Sequence, residues 1–197
     1  MEYGALLKSR RAIRDFTDKQ VPIDVVKEIL RETTLAPTAS NGQPCKFIVI
    51  QDRALLKQLS DESKRNLLAD MEGNPDSHLT MYRDILREQT FNVFYNAPTL
   101  ILLVGSQAVQ SLDVDLALTA AYLMFSATER GLGTCWINLG AHIREPGLLS
   151  TIGMPKDCRI VAPIIIGYPT AIPAASERHA PEILKLIQSC REAEVHG

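Results

Sequence analysis

Three nearly continuous apolar segments constrain the fold of this chain more than any other feature. They cover residues 46–51, 99–104 and 159–167, and short apolar runs bounded by turn residues are typical of buried strands. A strand without a polar face is covered by protein on both sides, so the sequence predicts a sheet between two layers. Pro163 in the third segment favours an edge position or a bulge, because proline donates no hydrogen bond to a neighbouring strand. A shorter strand is predicted within residues 135–139.

Helices are predicted between these strands from apolar side chains at helical period. The predicted ranges are 3–11, 22 to at most 36, 54–71, 79–93 and 111–130. In the last of them, residues 116–127 include only Thr119 and Ser126 as polar side chains. A helix that is apolar on all sides is buried on all sides. We therefore expect either a central core helix or, as the preferred interpretation, a helix packed against a second subunit.

The composition is that of an ordinary globular protein. The 197 residues are 46% apolar and 22% charged, with a formal net charge of −2. This suits one domain over residues 1–197 and gives no general attraction for nucleic acid or an anionic membrane. The N-terminus has no signal-peptide pattern, and the longest uncharged apolar run is shorter than the roughly 18 residues that span a bilayer. A soluble, cytoplasmic protein is expected.

Potential metal ligands and thiols are scattered along the chain. The residues are Cys45, Cys135, Cys158, Cys190, His78, His142, His179 and His196. Their spacing is neither that of a zinc site nor that of a CxxC redox pair. We therefore expect no metal site and no disulfide framework, and the thiols are predicted to be separate and mostly buried.

The N-terminal segment 9–16 carries the strongest chemical signal and reads Ser-Arg-Arg-Ala-Ile-Arg-Asp-Phe. Arg10 and Arg14 are four residues apart, so on a helix they would share one face and repel each other. Guanidinium groups held together in this way suit an anion between them, phosphate in particular. The alternative is a solvated basic turn in which Arg11 pairs with Asp15.

Three further segments place small or glycine residues beside predicted strands. The loop 36–44 is rich in hydrogen-bonding groups and precedes a strand, a position at which ligands are often bound. Segment 131–140 begins Gly-Leu-Gly, but Trp136 stands where a dinucleotide fingerprint has its third glycine, so a Rossmann site is disfavoured. Residues 166–169 read Ile-Gly-Tyr-Pro and are followed by Arg178. Each segment alone is also compatible with an ordinary turn.

Together and in this order, the four segments resemble the FMN-dependent nitroreductase family over about residues 6–181. The resemblance implies an α+β fold with a central mixed β-sheet flanked by helices, an intertwined homodimer, and FMN sites at the subunit interface. The sequence departs from the usual family pattern at three positions. Ala12 replaces a serine or threonine, Cys45 replaces a tryptophan, and Ser176 replaces a basic residue.

The resemblance also assigns cofactor-binding roles. It places Arg10 and Arg178 on the FMN phosphate and Arg14 near the pyrimidine edge of the flavin. It places the loop 37–41 at the flavin of the other subunit, and the segment 135–138 beside the isoalloxazine ring, with a backbone N–H facing N5. The implied set is Arg10, Arg11, Ala12, Arg14, Pro37, Thr38, Asn41, Cys135, Trp136, Ile137, Asn138 and Arg178.

The implied function is that of a flavoprotein oxidoreductase. Such an enzyme uses NADH or NADPH to reduce nitroaromatic, quinone or related electrophilic acceptors by ping-pong hydride transfer through flavin N5. Alternatives are a flavin enzyme of the same fold with other chemistry, such as enone reduction or dehalogenation, and a non-catalytic flavin-binding or storage protein. A substrate lid is expected within residues 79–92, lined by Tyr82, Phe91 and Phe94, unless these aromatic side chains belong to the core.

Overall fold

The computed structural model describes residues 1–74 and 76–188, so Cys190 and His196 lie outside the described residues. The helices are α1 (Tyr3–Ser9), α2 (Ile23–Thr33), α3 (Arg53–Gly73), α4 (Arg83–Arg87), α5 (Leu112–Glu129) and α6 (Pro146–Thr151). The strands are β1 (Lys46–Ile50), β2 (Thr99–Ser106), β3 (Gly133–Trp136) and β4 (Cys158–Gly167). Short 3-10 turns cover Ala39–Asn41, His78–Tyr82 and Asn138–Ala141.

The strands form one sheet in the order β1-β2-β4-β3, and each neighbouring pair is antiparallel. The predicted α+β class is confirmed, but the sheet is antiparallel rather than mixed. Within the described ranges, parallel pairing is limited to an isolated bridge between Ala12 and Thr134. The chain leaves β1 at Ile50, which pairs with Leu100, and it re-enters the sheet at Thr99. It therefore returns at the end of the sheet that it left, and a strand entered in this way runs antiparallel to its neighbour.

Both faces of the central strands β2 and β4 are covered, as their apolar segments predicted, whereas the edge strand β1 is mostly half-buried. Alternate residues of β2 point to opposite faces. Leu100 and Leu102 pack into one core with α3, whereas Ile101 and Leu103 pack into a second core with α2 and α5. All four side chains are fully buried, and each contributes about 1.5–3 kcal/mol relative to an exposed position. The sheet is thus the rigid layer on which the remaining elements are placed.

The edge position considered for Pro163 is wrong, because β4 lies between β2 and β3. The predicted bulge is present nearby, where the register shifts and Val161 has no partner between Leu103 and Val104. The Pro163 carbonyl accepts a hydrogen bond from the Ile137 N–H at 2.8 Å. Since the nitrogen and carbonyl of one residue point to the same side of a strand, the missing donor faces the end of β3. No hydrogen bond with β2 is lost there.

The predicted helix over residues 79–93 does not form as one continuous helix. Only a 3-10 turn and the short α4 form, and Glu88 is already extended. The Asn92 side chain accepts a hydrogen bond from the Phe94 N–H at 2.8 Å, and its carbonyl accepts one from the Tyr95 N–H at 2.8 Å. An asparagine that binds nearby backbone in this way competes with helix formation.

Helix α5 is divided between core and solvent. Leu116 and Leu123 are fully buried, whereas Val114, Leu118 and Tyr122 are 65%, 41% and 42% exposed. We call these three exposed residues the α5 stripe. The interpretation of α5 as a wholly central helix is therefore wrong for a single chain. Among the described residues, no helix is both long and apolar enough to cross a bilayer.

Candidate functional site

The arginine segment is extended rather than helical. Helix α1 ends before Arg10, and Ala12 pairs with Thr134 of β3. The Ile13 N–H donates to the Thr134 carbonyl at 2.9 Å. Because extended side chains alternate with a period of two, Arg10, Ala12 and Arg14 lie on one side. The helical spacing assumed for the arginines is wrong, but the extended period still directs both side chains to the same side.

Two glycines allow this segment to lie directly on the sheet. A Cβ at Gly133 would come within 2.7 Å of the Ile13 side chain, which is buried. A Cβ at Gly167 would come within 2.8 Å of the Phe16 ring. A side chain at either position would displace the segment. The two glycines therefore set the position of the arginines relative to β3.

A cleft of about 340 Å³ opens where the arginine segment, β3 and α5 meet, and this size lies in the range of small-molecule sites. Its lining residues are Arg10, Ala12, Arg14, Ala121, Met124, Phe125, Cys135 and Trp136. We call it the arginine cleft. Five of these residues were predicted to bind cofactor. The three from α5 were missed, because alanine, methionine and phenylalanine on an apolar helix give the same sequence signal as core residues.

The arginine cleft is electropositive. The arginine ion pairs of the described residues involve Arg53, Arg65, Arg130, Arg144 and Arg159. Within residues 1–74 and 76–188, neither Arg10 nor Arg14 has a carboxylate partner of this kind. Burial raises the pKa of the Cys135 thiol, and both guanidinium groups oppose that rise. The thiol is therefore protonated at neutral pH and adds no negative charge to the cleft.

Arg11 faces away from the arginine cleft, as the alternation requires. Its Nη1 donates to the carbonyl oxygens of Lys8 and Arg10 at 2.6 and 2.8 Å, so it caps the carboxyl end of α1. The alternative of an Arg11–Asp15 pair is wrong as well. Asp15 instead accepts a hydrogen bond from the Thr170 hydroxyl at 2.5 Å.

The loop 36–44 lies outside the arginine cleft of its own chain. The Ala39 N–H donates to the buried Asp115 carboxylate of α5 at 2.9 Å, and the Thr38 hydroxyl accepts from the Gln43 N–H at 3.1 Å. Pro37 and Asn41 are exposed, and Thr38 is half-buried. The loop is thus fixed in shape and presents its tip to solvent.

The remaining predicted residues do not line the cleft either. Ile137 is buried in the core beside α3, and Asn138 is exposed at the start of a 3-10 turn. Arg178 lies in residues 170–188, which are exposed throughout and which we call the C-terminal arm. The contacts implied for Asn138 and Arg178 remain predictions.

The three aromatic side chains assigned to the expected lid lie in different environments. Phe94 is 1% exposed and belongs to the core, so the core interpretation holds for it. Phe91 is half-buried against the same core, and Tyr82 is exposed on the 3-10 turn. Tyr82 is therefore the aromatic side chain of this region that is free to contact a ligand.

A larger cleft, of about 610 Å³, lies at the start of α3. Its charged side chains already pair with each other, Arg53 with Asp18 at 2.8 Å and Lys57 with Asp61 at 2.5 Å. Because these charges are compensated, the arginine cleft is the better candidate for an anionic ligand.

The chain is similar to known proteins over most of its length. The model of the nitroreductase family matches residues 7–168. A nitrobenzene nitroreductase of Ectopseudomonas oleovorans is 28% identical, over 83% of this chain and 85% of that protein. An iodotyrosine deiodinase of Thermotoga neapolitana is 23% identical, over 83% and 87%. The crystal structure of a nitroreductase with bound FMN from Bacteroides fragilis superposes with a TM-score of 0.80 at 22% identity, over 96% of this chain and 100% of that one. The chain belongs to the nitroreductase family.

Proposed function

We propose that this protein is an FMN-dependent oxidoreductase that uses NADH or NADPH to reduce nitroaromatic, quinone or related electrophilic acceptors. The observation that carries the proposal is a pair of guanidinium groups, Arg10 and Arg14, that line one cleft without carboxylate partners in the described residues. Membership of a family that includes nitroreductases supports an anionic redox cofactor as the ligand of that cleft.

The residues of the arginine cleft fit FMN. Arg10 is suited to the phosphate, because a guanidinium group donates two parallel charged hydrogen bonds to phosphate oxygens. Arg14 is suited to the pyrimidine edge, where negative charge develops on reduction. Met124, Phe125 and Trp136 supply the apolar wall that an aromatic ring system requires. When bound, FMN supplies a hydride acceptor and donor at N5.

The chain itself contributes position and charge. A fixed cation at the pyrimidine edge stabilises developing negative charge without the reorganisation that water would need. The neutral Cys135 thiol leaves that positive charge uncompensated. We propose a ping-pong exchange in which the nicotinamide leaves before the acceptor enters the same pocket.

We further propose that the site is completed in a homodimer. The α5 stripe borders the cleft-lining part of α5 and exposes apolar side chains. Ile183, Leu184 and Ile187 of the C-terminal arm are 70%, 89% and 80% exposed. Apolar surface of this kind marks an interaction site. In such a dimer the exposed loop 37–41 and Arg178 can contact the cofactor bound at the partner subunit.

The first test is the visible spectrum of the purified protein and the identity of any chromophore released on denaturation. We expect a flavin spectrum and release of FMN. The second test is steady-state oxidation of NADH and of NADPH with nitrobenzene or a quinone as acceptor. Flavin without turnover would favour a storage protein. A colourless protein that does not bind added FMN would contradict the proposal.

Reductive dehalogenation is a second candidate, favoured by the similarity to an iodotyrosine deiodinase. The same preparation is incubated with an iodinated or brominated phenol and a reductant, and released halide is measured. Halide release faster than nitroaromatic reduction would make dehalogenation the primary activity.

A further inference from the structure

We propose that Tyr95 is a positioning residue that holds the Arg14 guanidinium at the arginine cleft. The inference rests on the proposed function, because it concerns how Arg14 acts on bound FMN. The Arg14 Cζ lies 5.8 Å from the centroid of the Tyr95 ring. This is within the distance over which an aromatic face attracts a cation. Tyr95 does not line the cleft itself, so its effect passes through Arg14.

The Tyr95 ring is itself held in place. It contacts Phe91 edge to face, with ring centroids 5.7 Å apart and ring planes at 89°, an arrangement that aromatic pairs prefer. Phe91 packs in turn against the core beside α3. The Tyr95 N–H donates to the Asn92 carbonyl at 2.8 Å. The ring is therefore a fixed surface rather than a mobile side chain.

The backbone at this point is strained. Tyr95 and Asn96 have φ values of 54° and 52°, and residues other than glycine rarely adopt this left-handed conformation. Such strain persists only where surrounding contacts impose it, and it is common at functional sites. Here the strained turn directs the Tyr95 ring toward Arg14.

An aromatic partner suits the task better than a carboxylate. A carboxylate would orient Arg14 but would also cancel its charge at the place where a cation stabilises reduced flavin. The face of a tyrosine ring attracts the guanidinium and leaves its full positive charge. Holding the side chain beforehand also reduces the conformational entropy lost when the ligand binds.

The test compares two substitutions at the same backbone position. Tyr95→Phe keeps the aromatic face, whereas Tyr95→Leu removes it, and both have an unbranched Cβ, so the backbone strain is matched. We expect Tyr95→Leu to weaken FMN binding about two- to tenfold and to lower the two-electron midpoint potential of the bound flavin. A tenfold loss of preference for the reduced form corresponds to about 30 mV. Tyr95→Phe should match the wild type in both measurements.

A double variant separates positioning from a general loss of structure. Arg14→Ala should lower the flavin potential, and adding Tyr95→Leu to it should lower the potential no further. A potential equally lowered by Tyr95→Leu with and without Arg14 would overturn the inference. So would an unchanged potential in Tyr95→Leu. Tyr95→Met is measured alongside as a second variant without a ring, so the comparison survives if Tyr95→Leu is unstable.

The measurements separate a failure of the proposed function from a failure of the role of Tyr95. If the wild type binds no FMN, the proposed function fails and the inference fails with it. If the wild type binds FMN and turns over, and Arg14→Ala shifts the potential while neither Tyr95→Leu nor Tyr95→Met does, only the role of Tyr95 is overturned.

Discussion

At the scale of single residues, Arg10 and Arg11 form a matched pair, because they are adjacent but face opposite sides of the extended segment. We predict that Arg10→Ala weakens FMN binding by about ten- to a hundredfold, since a hydrogen bond to a charged group contributes about 1.5–3 kcal/mol. Arg11→Ala also removes one positive charge from the chain, but Arg11 does not line the cleft, so the charge of the cleft is unchanged. It should retain the wild-type affinity.

Both affinities are measured by titrating the apoproteins with FMN and following flavin fluorescence. Equal losses in the two variants would mean that net charge, rather than a contact at Arg10, determines binding. A fully yellow Arg10→Ala protein would contradict the phosphate role.

The sequence predicted that Arg10 and Arg14 face one site, but it did not predict the extended backbone that directs them there. Helical and extended spacing both direct Arg10 and Arg14 to one side, and only the pairing of Ala12 with Thr134 shows which period applies. Sequence adjacency does not show side-chain direction, so Arg11 could not be separated from its neighbours. The α5 residues of the cleft have no polar group, so nothing in their chemistry distinguishes them from core.

At the scale of elements, the docking of the arginine segment on β3 depends on Gly133. We predict that Gly133→Ala displaces Ile13 and destabilises the protein by about 1–3 kcal/mol, the usual cost of overpacking. Because Ile13 lies between Arg10 and Arg14, FMN affinity should fall as well. Urea denaturation and FMN titration measure the two effects.

Gly4→Ala is the control for Gly133→Ala. Gly4 lies in α1, and no heavy atom lies within 4 Å of the position that a Cβ would occupy there. Alanine stabilises a helix by up to about 1 kcal/mol relative to glycine. This variant should be at least as stable as the wild type and bind FMN normally. An unchanged Gly133→Ala protein would show that the segment does not rest on that glycine.

A second prediction at this scale concerns the ion pair that joins α2 to the end of α5. Arg130 donates to both Glu32 carboxylate oxygens, at 2.5 and 2.8 Å, and these hydrogen bonds lower the pKa of Glu32 to about 2. A lowered folded-state pKa stabilises the fold above the ordinary value near 4.5, and this stability is lost as the pH falls toward 2. Because the Glu32 side chain is 48% exposed, solvent limits the contribution to about 1 kcal/mol.

The measurement is the urea midpoint of the wild type and of Glu32→Gln between pH 7 and pH 2. The wild type should be the more stable at pH 7, and the difference should shrink below about pH 4.5 and vanish near pH 2. A difference that does not change with pH would assign the effect to packing rather than to ionisation.

Elements were predicted well where burial alone decides them. β2 and β4 are apolar because both of their faces are covered, and each was located within a few residues. Prediction failed where local side-chain bonds compete with the helix, as at Asn92. It also failed for Pro163, which was predicted at an edge but lies in a central strand. Proline is tolerated there because its missing N–H points past the end of β3, and the sequence predicted that β3 ends later than it does.

At the scale of the whole molecule, the proposed homodimer accounts for predicted cofactor contacts that one chain leaves open. Arg178 and the loop 37–41 are presented to solvent, away from the arginine cleft of their own chain. The α5 stripe exposes apolar side chains on the helix whose Asp115 carboxylate binds the Ala39 N–H of that loop. The C-terminal arm exposes further apolar side chains a few residues after Arg178. The sequence alone suggested a partner for α5, but neither the sequence nor one folded chain shows which residues of two subunits meet.

We therefore predict that the protein in solution has twice the mass of its 21.8 kDa chain, measured by light scattering. Leu118→Arg places a charge in the centre of the α5 stripe, and an unpaired charge buried in an interface is strongly unfavourable. It should therefore produce monomers that bind FMN more weakly than the wild type. Met81→Arg is the matched control, because Met81 is also exposed, at 76%, but lies outside α5. It should remain dimeric with normal affinity, whereas a monomeric wild type with full FMN affinity would place the entire site within one chain.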